Sequence, residues 1–162
     1  MAAPQMVLYD DDYKKIKEIC TKLTREANAK AIFLVDKNGQ LLASAGDTQD
    51  LDSTSLASLT AGNIAATGGL AKLIGEKEFS ILFHEGERDH IHISLVKGKV
   101  ILVVIFDQRS SLGLVRLRVK KGTEELARIF DAMETRSKTH TGKEASPFAE
   151  ITDEDIDNLF NE

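Results

Sequence analysis

Tyr13, Ile16, Ile19, Cys20 and Leu23 recur at three- and four-residue steps, the spacing that lines one face of an α-helix. It predicts a first helix over residues 9–27. Asp10, Asp11 and Asp12 suit its N-terminus, where acidic groups meet the positive end of the dipole. Two short apolar runs follow, at residues 31–35 and 40–44, around Asp36-Lys37-Asn38-Gly39. The Asn-Gly step predicts a hairpin, because both residues accept positive φ. Asp52 and Ser53 then cap a second helix running to about Gly75. Residues 79–83 and 91–96 read as two further strands around a polar turn at 85–89. A tight turn at Lys97-Gly98-Lys99 leads into residues 100–106, an unbroken and largely β-branched run. Such a run predicts a central strand covered on both faces. Ser110 or Ser111 starts a third helix with Leu126, Ile129, Phe130 and Met133 as its clearest stripe. Residues 114–119 alternate with period two and fit a strand as well; the preceding serine cap favours helix.

The expected order is α-β-β-α-β-β-β-α, followed by a linker and a short C-terminal helix. Its economical architecture is an α/β fold of the α+β kind: a five-stranded, mostly antiparallel sheet with one helix on one face and two on the other. The expected divisions are a domain over residues 1–136, a flexible linker over 137–151 and an acidic amphipathic helix over 152–162. The linker reading rests on a polar stretch holding Gly142 and Pro147. In the last segment Thr152 can cap a helix whose Ile156, Leu159 and Phe160 fall on one side. A helix that short needs a groove to fold into.

Charge separates the tail from the rest. The 162 residues carry 21 Lys+Arg and 26 Asp+Glu, a formal net charge of −5. Residues 137–162 hold 2 of the basic and 7 of the acidic residues, leaving 19 of each before them. A neutral main domain argues against non-specific nucleic-acid binding, which needs a basic surface to release counterions. No run of 18 or more apolar residues occurs, so no membrane insertion is expected. Met1 to Gln5 lack a basic region followed by an apolar run, so no signal peptide is expected. The single cysteine, Cys20, cannot form an internal disulfide, which fits a reducing, cytoplasmic compartment.

The familiar chemical motifs are missing. The sequence has no Gly-x-x-x-x-Gly-Lys-Ser/Thr loop, no Gly-x-Gly-x-x-Gly, no Cys-x-x-Cys and no His-Glu-x-x-His. No catalytic residue, cofactor or metal is therefore expected. His90 and His92 share a strand face, with His84 on the neighbouring strand, and the trio could hold a metal only if register allowed. A solvated strand face is the simpler reading. Cys20 lies on an apolar helix face, where thiols are usually inert. Asp36 and Asp107 each end a strand, which turn formation explains.

The second helix is the unusual element. From Ser53 to Gly75 its one charged residue is Lys72. Leu56, Leu59, Leu70, Leu73 and Ile74 fall on one side, read as the face for the protein's own sheet. The other side carries Ala57, Ala61, Ile64, Ala65 and Gly68, with Gly69 beside them. Exposed helix faces normally show Lys and Glu. A small, uncharged face lets another helix approach closely, so a second copy or another protein is expected there.

The order of elements resembles the roadblock/dynein light chain superfamily and, more narrowly, its bacterial MglB-type members. The likeness is carried by residues 35–40 (Val-Asp-Lys-Asn-Gly-Gln), 57–66 (Ala-Ser-Leu-Thr-Ala-Gly-Asn-Ile-Ala-Ala) and 103–107 (Val-Val-Ile-Phe-Asp). Residues 69–76, 83–86 and 146–151 extend it over nearly the whole chain. The resemblance implies a homodimer paired through the second helices, with sheets joined across the third strand. It implies a partner, a Ras-like small GTPase of the MglA type, engaged by two copies of the chain. The chain would be a GTPase-activating protein that reorders the partner's switch elements without an arginine finger, in cell polarity and gliding motility. A cytoplasmic place concentrated at a cell pole follows. Ala57, Ala61, Ile64, Ala65, Gly68, Gly69 and Lys72 would form the platform for dimer and GTPase. Ile156, Leu159 and Phe160 would contact the GTPase at a second site or recruit polarity proteins. Local charge adds a basic patch of Lys15, Arg116 and Lys121 between the first and third helices. Arg88 and Arg109, in loops, are the most finger-like arginines. A roadblock scaffold that binds a GTPase without accelerating hydrolysis is the competing class.

Overall fold

The computed structural model describes residues 8–143. The expected C-terminal helix, with Ile156, Leu159 and Phe160, lies outside the described residues. The elements are α1 (Asp10–Glu26), β1 (Ala31–Asp36), β2 (Leu41–Gly46), α2 (Ser53–Leu73), β3 (Ile81–His84), β4 (His90–Val96), β5 (Val100–Phe106) and α3 (Leu112–Lys143). The sheet order is β2-β1-β5-β4-β3. Every pairing is antiparallel rather than mostly so. The chain divides after Ile129 into two units. The first holds the sheet, α1, α2 and the opening turns of α3.

β5 lies in the middle of the sheet between β1 and β4 and is buried along its whole length. Its unbroken apolar run therefore reports a strand covered on both faces, as expected. Alternation along the strands sorts the two layers. Ala31, Phe33, Val35, Ile93, Ile101, Val103 and Ile105 form one buried cluster with Ala57 of α2. The alternate residues Ile32, Leu34, Leu102 and Val104 are buried on the other face. There α1 contributes Ile16, Cys20 and Leu23, and α3 contributes Val115, Val119 and Leu126. At Gly122 a Cβ would lie 3.0 Å from a methyl of Leu23, so α1 and α3 meet closely. The period-two residues 114–119 are helical because Ser111 caps them, its Oγ accepting from the Leu114 amide at 3.2 Å.

The expected β1–β2 hairpin forms, and its turn is longer than two residues. In the sequence Asp36 to Gln40 only Gly39 has positive φ, at 89°. The Gly39 amide donates to the Asp36 carbonyl at 3.1 Å and the Asp36 amide to Gln40 at 3.0 Å, with a register shift between Leu34 and Val35. This is the longer turn closed by a glycine bulge. The Asp36 carboxylate accepts from the Asn38 and Gln40 amides, both at 2.9 Å, which rewards the longer form. One expectation needs correction, that residues 137–143 are linker. They continue α3 to Lys143. The physical reason is composition: no glycine or proline intervenes between Gly122 and Gly142. The second unit is described through these final helical turns. No helix among the described residues is long and apolar enough to cross a membrane.

Candidate functional site

The site is α2 and the open edge of the sheet. Asp52 caps α2, its carboxylate accepting from the Ser55 amide at 3.1 Å and the Ser55 hydroxyl at 2.6 Å. These bonds hold the Asp52 carboxyl below the ordinary carboxylate range. The turn at Gly39 abuts the helix: a Cβ there would stand 3.3 Å from Ser58 Cα. At the other strand edge, Asn63 Nδ2 and His84 Nε2 lie 3.0 Å apart. That contact ties the middle of α2 to β3, which is the outermost strand.

The two sides of α2 differ in part from the sequence reading: Leu56 faces the sheet as expected, but the other large residues do not. Ala57 is 1% exposed and packs against the sheet, as do Leu56 and Ile64; Thr60 and Ala71 are buried too. Leu59, Leu70, Leu73 and Ile74 are 74%, 60%, 83% and 69% exposed. The sheet supplies the bulk on the inner side, through Phe33, Ile93, Ile101 and Ile105. Small residues on α2 let the helix sit close above them. The large residues are left facing out.

Of the expected platform residues, Ala57 is therefore a core residue and Ile64 packs largely inward. Ala61 and Gly68 are half-buried, and Ala65, Gly69 and Lys72 are exposed. Sequence reasoning missed the leucines. The signal that could have found them is the seven-residue spacing of Leu59, Ala66 and Leu73, with Gly62 and Gly69 at the intervening three-residue step. That is the repeat of a helix–helix seam. Ile81 on β3 is also exposed, but it pairs with Ser94 and so lies on the face of the sheet turned away from α2.

The remaining candidates fall elsewhere. Lys121 lines a groove between α1 and α3 with Ile19, Lys22, Leu23, Arg118 and Gly122, beside Glu26 and Glu125. Lys22 reaches both carboxylates, at 4.0 and 3.7 Å. The lining of this groove does not include Lys15 or Arg116. Arg109 is engaged by Asp107 at 3.0 Å, which holds the Asp107 carboxyl low. Arg88 is exposed. His84 pairs with Ile91, while His92 pairs with Phe83, so His84 and His92 lie on opposite faces of the sheet. The trio cannot converge, and no group of three or more His, Cys, Asp or Glu side chains among the described residues is placed to hold a metal. His92 is buried rather than solvated. Cys20 is buried, and burial pushes its thiol up to about 11.

A family model, the Roadblock/LC7 domain, matches residues 15–106. The chain is 61% identical to Myxococcus xanthus MglB, with a TM-score of 0.75, covering 78% of this chain and 96% of that one. It is 37% identical to the gliding protein MglB of Thermus thermophilus, with a TM-score of 0.73, covering 79% and 97%. An MglB structure described as having a tetrameric arrangement is 35% identical, with a TM-score of 0.76, covering 82% and 99%. No curated protein sequence matches the chain significantly.

Proposed function

This chain belongs to the roadblock/LC7 family, and within it to the MglB proteins, and on that footing we propose that it is a homodimeric activator of a Ras-like small GTPase. The observation that carries the dimer is the outward face of α2. Four large apolar side chains stand exposed on one helix, where a lone soluble helix would show charge. Leu59, Ala66 and Leu73 alternate with Gly62 and Gly69 along it, so a second backbone can approach closely between the leucines. A two-fold contact uses the same patch on both copies, and α2 against α2 meets that condition. The free edge of β3 lies beside the helix and can pair with its counterpart.

Paired α2 helices then form a surface with Ala65 and Lys72 available to a partner, and Gly69 at the seam. The family resemblance supplies the partner's class, a GTPase of the MglA type with two copies of this chain per GTPase. The chain acts as a regulator, leaving the catalytic residues to the GTPase and reordering its switch elements in the control of polarity and motility. The engagement of Arg109 by Asp107 favours a mechanism without an arginine finger. The C-terminal segment is a second contact for the GTPase or for polarity proteins.

Adding the purified chain to a cognate GTPase loaded with GTP tests this. Phosphate release should rise and saturate at two chains per GTPase. Binding without acceleration would make the chain a scaffold. Deleting residues 147–162 should weaken the effect on the GTPase while leaving the dimer intact; unchanged affinity and rates would remove the GTPase from that segment's targets.

A further inference from the structure

His92 stands in the middle of β4, on the face of the sheet turned away from α2. It is 1% exposed. Its cross-strand neighbours are Phe83 on β3 and Val104 on β5. Neither ring nitrogen has a hydrogen-bond partner, and the Ser94 hydroxyl, two residues along the same face, is buried without one as well. Most buried imidazoles donate or accept at least once. An unpartnered buried polar group costs stability, so this layer is weakly held compared with an all-apolar one.

The charged groups around His92 deepen the asymmetry. α3 brings the Arg116 guanidinium near enough to oppose a proton on the ring, and burial opposes it more strongly. On β4 itself His90 is the other titratable group on this face. It packs against Phe83 and Phe106 at 6.0 and 5.2 Å between ring centroids, and its Nδ1 accepts from the Gly86 amide at 3.2 Å. The facing positions of β3 and β5 are Ile81, Phe83, Leu102, Val104 and Phe106, none of them titratable. No carboxylate on these strands faces the ring; α1 brings one buried carboxylate, Asp12, and the Arg116 guanidinium repels a proton on the ring.

We propose that His92 is a proton-sensitive latch between the sheet and α3: neutral, it stays buried, and on taking a proton it opens the packing of the first turns of α3 over β4. A buried imidazolium near a guanidinium, with no hydrogen-bond partner on either ring nitrogen, is more stable in water than where it is. The closed form binds this proton only below the ordinary value of 6.5, and the opened form binds it at that value. Opening therefore gains population as pH falls below 6.5, by at most about tenfold per pH unit. The latch is independent of the partner proposed above, and its failure would leave that reading untouched.

Amide hydrogen exchange between pH 7.5 and 5.5, read as protection factors over residues 112–119, tests the latch. Wild type should lose protection there by several-fold to about tenfold per unit below pH 6.5, while the equivalent loss disappears in His92→Phe and His92→Gln. Equal losses in wild type and in a folded variant, or flat protection in wild type, overturn it. Should both variants fail to fold, NMR titration of the wild-type histidine rings decides. A His92 ring that titrates at its ordinary value with the layer intact ends the proposal; a ring that stays neutral until α3 amides lose protection sustains it.

Discussion

α1 turns Lys14, Lys15, Glu18 and Arg25 to solvent and buries Ile16, Cys20 and Leu23, whereas α2 buries Ala57, Thr60 and Ala71 and turns Leu59, Leu70, Leu73 and Ile74 outward. The layer that α1 shares with α3 has a largely apolar inner side, with Asp12 buried beside it, and a charged outer one. The α2 layer is apolar on both sides. Burial of apolar surface is worth roughly 25 cal/mol per Å², and α2 leaves that gain unrealised within one chain. The difference teaches where the protein ends and where its contacts begin. A helix complete in itself shows charge outward, and a helix awaiting a neighbour does not.

Substitutions on the two sides of α2 should break this comparison most sharply. Ala57→Arg places a charge and a long side chain against Phe33 and Ile101, and should cost about 4 kcal/mol or more, seen as unfolding in circular dichroism or a collapse in denaturant midpoint. An Ala57→Arg chain as stable as wild type would mean that the sheet side has been misplaced. On the closed side, Cys20 should resist alkylation. A thiol held near 11 rather than 9.0 carries about a hundredfold less thiolate at neutral pH. Iodoacetamide should label native protein at least that much more slowly than unfolded protein, and equal rates would show that the α1 layer is open.

Arginine changes should have small effects on the partner. Neither Arg88→Ala nor Arg109→Ala should lower GTP hydrolysis by the ~10³-fold expected of a finger. One variant that binds normally and loses that much would reverse the proposed mechanism. Asp52→Ala should have the smallest effect, a modest fall in Tm from losing the α2 cap. The capped carboxyl is held below its ordinary value of 3.8, so its contribution is present above pH 3.8 and is lost as pH falls through the folded value. The Tm difference between wild type and variant should close in that acid range; a difference independent of pH would deny the cap its charge.

The sequence made the elements legible wherever one signal dominated. The β5 run, the Asp52 cap and the Ser111 cap all led to the observed structure. The faces of α2 were not legible, because hydrophobic period works by contrast and this helix offers almost none: one lysine in the whole element. Which apolar side meets the sheet depends on bulk supplied by Phe33, Ile93 and Ile105, residues distant in sequence. The Asn38-Gly39 step made the hairpin legible but not the length of its turn, for a local reason. The Asp36 carboxylate holds two amides and selects a longer turn than the dipeptide alone favours. His92 read as solvated because alternation on a strand gives the side of a residue and not what lies across it. Arg116 of α3 lies on that side.

Sedimentation equilibrium of wild type beside a Leu70→Glu, Leu73→Glu variant tests the central claim most directly. Both side chains are outward and exposed, so the double change should leave the circular dichroism spectrum and denaturant midpoint of the isolated fold near wild type. Wild type should sediment as a dimer and the variant as a monomer, with the dissociation constant raised at least a hundredfold by four like charges facing one another across a two-fold seam. A variant that stays dimeric at the wild-type affinity would contradict the assignment of the outward face of α2 as the place where a second copy docks.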